Sequence, residues 1–361
     1  WILTIFAATS LGAVAVCMNT WWKSRELRYA LATADVSVLV MIDRYLGTDY
    51  AAAIGDLEQM RNNVPTLRAI VNVGAQAANY LPFSELFRLG EAVSDETLTG
   101  IMASVSPDDM AYLLFTSGST SYPKAVPMLH GKMISNTYEI GERMGLNPDD
   151  RTLIPVSLFW SYGCVNALLA TTTHGGTIVL QNRFSAAETL ALIEAERCSV
   201  LYATPNIGLA LLQHPDRQTR DLSSLRTGIG RPASARLIYE LGAKEVCTCY
   251  GLTESYANAT VSDRRLPVEE RLRSSGIPLP GVEIEIVDPI TRTVQPRNAS
   301  GEIRLRNHVM PAYYKDPVQT AEAFDSEGWF YTGDLGVLDD SNGLHISGRL
   351  KDVIKTGGIN V

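Results

Sequence analysis

Apolar positions along this chain of 361 residues repeat with two periods. In "ELRYALATADVSVLVMID", Leu27, Leu31 and Ala34 share one helical face, and the run "VSVLVMI" that follows predicts a buried strand. The same succession recurs. Residues 1 to 11 predict a buried helix that feeds a strand at Gly12 to Cys17. "LRAIVNVG" predicts a strand, residues 84 to 108 an acidic helical stretch and linker, and "MAYLLF" another strand. A polar loop and the helix "HGKMISNTYEIGERMG" come next, then the strand "TIVLQ". "SAAETLALIEAERC" is an amphipathic helix opened by Ser185, with Glu188 three positions on to complete a capping box. "SVLYATP" and "IGLALLQH" add a further strand and helix. Such alternation predicts an α/β protein, with parallel sheets and helices on both faces.

Near residue 275 the rhythm changes. "GVEIEIVD", "GEIRLRN", "WFYTGDLGVLD" and "GLHISGR" are short alternating strands joined by Gly, Asp and Asn turns. They predict an antiparallel subdomain or small barrel. The expected divisions are an α/β core over 1–274, the β subdomain over 275–351, and a hinge with the start of a further lobe over 352–361. The sequence opens without Met and "KDVIKTGGINV" stops in mid-pattern, so both ends are expected to be truncated.

Composition narrows the class. Hydrophobic residues make up 46% and charged residues 19%, a globular balance with material for a sizeable core. A net charge of −8 without a basic tract argues against nucleic-acid binding. Cys17, Cys164, Cys198, Cys247 and Cys249 are an odd, scattered set, neither a disulfide framework nor a zinc motif. A reducing, cytoplasmic compartment is expected. The apolar "WILTIFAATSLGAVAVCMN" is short for a membrane span, is broken at Gly12 and lacks the basic flank of a signal peptide. No transmembrane segment is expected.

Three stretches carry candidate chemistry. In "LLFTSGSTSYPKAV", Thr116 to Ser121 form a polar loop read as lying between a strand and a helix, where open α/β sheets bind ligands. Backbone N–H groups, hydroxyls and Lys124 could surround phosphate oxygens there. A solvated turn is the alternative. In "CTCYGLTES" a strand ends at Tyr250, Gly251 turns the chain, and Thr253 and Glu254 follow. The ring could stack on a base, while the hydroxyl and carboxylate could hold a phosphate and its Mg²⁺. The alternative makes Tyr250 a core edge and Thr253 and Glu254 a helix start. In "YTGDLG", Asp334 sits in a Gly-flanked turn able to accept hydrogen bonds from ribose hydroxyls. Arg349 and Lys351 lie in a later turn. Alone, each of these reads as an ordinary strand turn.

Taken together, these stretches resemble the adenylate-forming superfamily of acyl-CoA and aryl-CoA synthetases, non-ribosomal adenylation domains and luciferases. "FTSGSTSYPK", "YGLTES", "YTGD" and "GRLKDVIKTGG" match in order and approximate spacing, and "GIPLPGVEIEIVD" and "GEIRLR" are similar too. The resemblance implies a large N-terminal domain of two β-sheets flanked by helices, layered αβαβα. A small distorted β-barrel subdomain would follow, with the C-terminal lobe missing. It also implies ATP-dependent activation of a carboxylic acid to an acyl-adenylate. The acyl group then passes to the thiol of CoA or of a carrier-protein phosphopantetheine.

By the same resemblance, Thr116, Ser117, Gly118, Ser119, Thr120, Ser121 and Lys124 hold the β- and γ-phosphates. Thr253 contacts the α-phosphate, and Glu254 binds Mg²⁺ with Thr116. Lys124, Thr253 and Glu254 thus carry the catalysis. Tyr250 and Gly251 face the adenine, Asp334 and Arg349 hold the ribose, and Asp352 is the hinge. No lysine here matches the one carried by the lobe, so adenylation by this chain is expected to be slow.

Departures from the pattern add detail. Ser121 stands where the family usually has Gly, which would alter how the loop closes. "TGIGRPASARL" is short for the region near the adenine. "PVSLFWSYG" places Trp160 where many relatives carry a histidine. No counter-ion for an α-ammonium group is evident there, and burying one unpaired is costly. A fatty or aryl acid is therefore expected, in a pocket of Phe159, Trp160, Ser161, Gly163, Gly228, Gly230 and Cys249. Trp160 as a core residue flanking the site is the alternative. Two rival readings stand beside this one. "GIGRPA" fits the GxGxxA of an NAD-dependent oxidoreductase. A catalytically weak acyl- or nucleotide-binding module would keep the fold and lose the activity.

Overall fold

A computed structural model of the chain describes residues 1–55, 57–74, 80–116 and 122–350, and two short strands, Lys355–Thr356 and Ile359–Asn360. The fold is mixed α/β, with several sheets flanked by helices. It divides into two compact units, Trp1–His130 with Tyr313–Lys315, and Gly131–Ala312 with Asp316–Val361.

The first unit holds strands β1 (Ala15–Cys17), β2 (Val38–Met41), β3 (Ala69–Asn72), β4 (Leu81–Pro82), β5 (Met110–Thr116) and β6 (Lys124–Leu129). β2, β3 and β4 form a parallel sheet. β1 runs parallel to β5, and β6 antiparallel to it. Leu27 and Leu31, on the helix Ser24–Thr33, cluster with Val36, Ile54, Met60, Val64, Leu67 and Ile70. The face predicted from the apolar spacing is therefore the buried one, and each such side chain contributes roughly 1.5–3 kcal/mol. The acidic stretch resolves into two helices, Phe83–Gly90 and Asp95–Ala103.

One expectation changes here. The helix His130–Met144 begins only after β6, so the hydroxyl-rich loop joins two antiparallel strands and not a strand and a helix. Pro127 disguises β6 in the sequence. It is tolerated because β6 is an edge strand of its ladder. The Tyr313–Lys315 segment lies along that edge, where Tyr314 N–H donates to the Ala125 carbonyl at 2.9 Å.

The second unit is built on a seven-stranded sheet. Its strands are β7 (Arg151–Ile154), β8 (Thr177–Leu180), β9 (Val200–Tyr202), β10 (Thr227–Gly230), β11 (Cys247–Tyr250), β12 (Thr260–Val261) and β13 (Ile277–Pro278). Their order is β8-β7-β9-β10-β11-β12-β13, parallel as far as β11 and antiparallel thereafter. The helix Ala186–Ala195 starts as predicted, with Ser185 Oγ accepting from Glu188 N–H at a long 3.5 Å. The Glu188 carboxylate instead takes Gln181 Nε2 at 3.0 Å. A separate antiparallel sheet contains β14 (Glu283–Val287), β15 (Ser300–Arg306), β16 (Phe330–Leu338) and β17 (Leu344–Arg349), in that order.

β8 and β9 flank β7 on opposite sides, so the winding reverses at β7. Open α/β sheets bind ligands outside the carboxyl ends of their strands at such a reversal.

Candidate active site

The carboxyl ends of β7, β9, β10 and β11 are where several predicted residues meet. After β7 the chain runs through buried Phe159 to half-buried Trp160, whose ring stands edge-on at 5.1 Å and 72°. A π-helical turn, Tyr162–Ala167, follows. Such turns are often found at functional sites. The Tyr162 hydroxyl donates to the Ile229 carbonyl in β10 at 2.6 Å. Burial holds that hydroxyl well above its ordinary pKa, so it remains a donor. Tyr162 escaped the sequence reading because its partner is a backbone carbonyl 67 residues away. Cys249 is buried, and burial pushes its thiol up to about 12, leaving a neutral, unreactive side chain.

The glycines near these residues serve close packing. A Cβ on Gly163 would lie 2.5 Å from the Ser157 carbonyl oxygen, and one on Gly228 2.4 Å from that of Leu201. At Gly230 it would meet Ser234 Cβ at 2.7 Å. Gly228 lies inside β10, so "GIGRPA" is a strand running into a helix and not a dinucleotide loop.

The turn after β11 is tightly built. A Cβ on Gly251 would lie 1.9 Å from the Ala257 carbonyl oxygen and 2.5 Å from Asn258 Cα. Thr253–Ser255 form a single 3-10 turn. Tyr256 and Ala257 then adopt positive φ, +54° and +85°, costly for residues with a Cβ. Asn136 meets that cost from the helix His130–Met144. Its Nδ2 donates to the carbonyls of Tyr256 at 2.8 Å and Asn258 at 2.9 Å. Thr253 Oγ1 lies 3.2 Å from Ser161 Oγ, so the turn touches the segment after β7. Glu254 is 8% exposed, and its backbone carbonyl accepts from Met310 N–H at 2.8 Å. Among the described residues no group of three or more His, Cys, Asp or Glu could hold a metal. A Mg²⁺ that takes one carboxylate and completes its shell with substrate phosphates and water fits the single Glu254.

Tyr250, Asp334 and Arg349 come together in the same unit. Asp334 and Arg349 are cross-strand partners in β16 and β17, and Arg349 Nε donates to Asp334 Oδ1 at 2.7 Å. The Tyr250 hydroxyl donates to Asp334 Oδ2 at 2.8 Å. Burial first, and then the Asp334 charge, hold that hydroxyl well above its ordinary pKa. Each carboxylate oxygen keeps a second lone pair for a further donor.

In the first unit, Thr116 and Lys124 are paired across β5 and β6. Lys124 Nζ sits 4.5 Å over the Tyr313 ring. Tyr122, just past the loop, stacks on Tyr29 at 4.4 Å and accepts from Arg25 Nη2 at 2.7 Å. Ser117, Gly118, Ser119, Thr120, Ser121 and Asp352 lie outside the described residues.

A mixed α/β fold with this set of turns defines an adenylate-forming enzyme. The chain belongs to the AMP-binding enzyme family, whose model matches residues 1–314. It is 34% identical to a Bacillus subtilis (strain 168) protein provisionally designated acyl-CoA synthetase YngI, over all of this chain and 69% of that protein. It is 32% identical to acyl-CoA ligase sidI of Aspergillus fumigatus, over all of this chain and 64% of that protein. The crystal structure of the anthranilate CoA ligase AuaEII in complex with anthranoyl-AMP superposes with a TM-score of 0.85 at 26% identity. That match covers all of this chain and 68% of that one. The class is therefore that of AMP-forming acid–thiol ligases, which activate an acid with ATP to an acyl-adenylate and pass it to CoA. No helix among the described residues is long and apolar enough to cross a membrane.

Proposed function

We propose that this chain activates a carboxylic acid lacking an α-amine, fatty or aryl, with CoA as the acceptor. The observation that carries the reading is the joining of Tyr250, Asp334 and Arg349, in a unit where Thr253 also meets Ser161. Asp334 and Arg349 hold the ribose, Tyr250 and Gly251 the adenine, and Thr253 the α-phosphate. Thr116 and Lys124, with the loop 117–121, hold the β- and γ-phosphates, and Asp352 is the hinge. A carboxylate oxygen of the acid attacks the α-phosphorus, and the bond to pyrophosphate breaks. The CoA thiol then adds to the acyl carbon, and the bond to AMP breaks. The first step joins two anions, so positioning and charge neutralisation provide most of the acceleration. Mg²⁺ held by Glu254, with Thr116 beside it, would neutralise phosphate charge.

The edge-on Phe159 and Trp160 rings and the neutral Cys249 support an apolar acid. CoA ligases among the relatives support CoA over a carrier protein. The cysteines are free and buried, which supports the cytoplasmic reading. ATP–pyrophosphate exchange over a panel of fatty, aryl and amino acids tests the proposal. Exchange with fatty or aryl acids is expected, and exchange with amino acids alone would overturn it. A protein that binds ATP–Mg²⁺ yet exchanges with none of the panel would instead be the catalytically weak binding module.

A further inference from the structure

β15 and β16 fall out of register beside Asp334. Glu302 faces Leu335 and Arg304 faces Tyr331, so Ile303 alone stands opposite Thr332, Gly333 and Asp334. Two extra residues form a bulge, the kind of irregularity that re-aims a side chain next to a site. Such a bulge leaves backbone groups without ladder partners, and each must find another.

The bulge is closed by side chains. Thr332 Oγ1 donates to the Ile303 carbonyl at 2.7 Å and accepts Asp334 N–H at 3.1 Å. Gly333, at φ +70°, donates its N–H to Glu302 Oε1 at 3.1 Å. Its carbonyl accepts Leu350 N–H at 2.9 Å, next to Arg349. Glu302 is 3% exposed, an unusual place for a carboxylate. Its second oxygen is held by Arg292, a far more exposed residue.

We infer that Glu302 is a positioning residue for the nucleotide's ribose: its carboxylate replaces the missing ladder acceptor for Gly333 and so fixes the direction of Asp334. The inference rests on the proposed ribose role of Asp334. An ion pair that served stability alone would need only the charge facing Arg292. Fixing Gly333 instead needs the reach of the side chain to Oε1.

The two roles separate by length and charge. Glu302→Gln keeps the reach and an acceptor oxygen but removes the charge. Glu302→Asp keeps the charge and shortens the reach by one methylene. The measurement is the calorimetric Kd for ATP–Mg²⁺ against that for 2′,3′-dideoxy-ATP–Mg²⁺, for the wild type, both Glu302 variants and Asp334→Asn. Bonds to a charged acceptor imply at least about tenfold preference for ATP in the wild type. That preference is expected to persist in Glu302→Gln and to fall several-fold in Glu302→Asp and in Asp334→Asn. Loss in Asp334→Asn with full preference in Glu302→Asp overturns this inference and leaves the ribose reading standing. So does loss in Glu302→Gln with retention in Glu302→Asp. Full preference in Asp334→Asn overturns the ribose reading, and this inference with it.

Discussion

Two glycine turns in the second unit carry carboxylates, and they are built differently. At Gly251 the constraint is space, because the carbonyl of Ala257 occupies the room a Cβ would need. Two positive-φ residues then follow and are held by Asn136. At Gly333 the constraint is torsion. The backbone is at φ +70°, and nothing lies within 4 Å of the Cβ position. The first turn is rigid because other chain segments pack against it, and the second because its hydrogen bonds close a bulge. A glycine in each motif looks the same in sequence, yet the penalty for replacing it should differ.

The sharpest way to break the comparison is Gly251→Ala. Its Cβ would collide with backbone, which cannot swing aside as a side chain would. A stability loss of about 3 kcal/mol or more is expected. Displacement of Thr253 and Glu254 should cost roughly 100-fold in pyrophosphate exchange. Near-wild-type melting and exchange would show that the turn can yield. Next comes Asn136→Ala, which leaves two buried carbonyls without their donor, at about 1–3 kcal/mol for each group. Denaturant unfolding measures it, and a change below the lower figure would mean that the positive-φ pair holds itself.

Gly333→Ala is expected to be milder, about 1 kcal/mol, because only the torsion is strained. A loss as large as that of Gly251→Ala would erase the distinction between the two turns. The smallest effect is expected at the β16–β17 hairpin, which is capped by a side chain. Burial alone would raise the Asp339 carboxyl. Hydrogen bonds from His345, Ser341 and Gly343 outweigh that and bring it from 3.8 to about 2. A depressed folded-state pKa gives stability that is present above the unfolded value and lost as the pH falls through the folded one. Wild-type stability should therefore decline between about pH 4 and pH 2 through this group. Asp339→Asn should flatten that decline, and parallel pH profiles for the two proteins would count against the assignment.

Much of this was legible in the chain. The spacing of Leu27 and Leu31 marked a buried face, and the change of rhythm near residue 275 announced the antiparallel strands. Turn residues named Tyr250, Thr253, Glu254, Asp334 and Arg349 because Gly, Asp and hydroxyl residues have local backbone reasons to cluster. Other features were not legible. Pro127 concealed β6, since a proline lowers the score of any strand and only edge position excuses it. Asn136, Tyr162 and Glu302 gave no local signal, because each bonds a backbone group 31 to 120 residues away.

By itself, the sequence determined the element types, the family and the residues able to do the chemistry, because periodicity and turn preferences are properties of neighbouring residues. Tertiary structure alone decided which of those residues touch. It brought the Tyr250 hydroxyl to Asp334 across 84 positions and Thr253 to Ser161 across 92. It also decided why each glycine is required, since a missing Cβ has meaning only once the atoms that would have met it are in place.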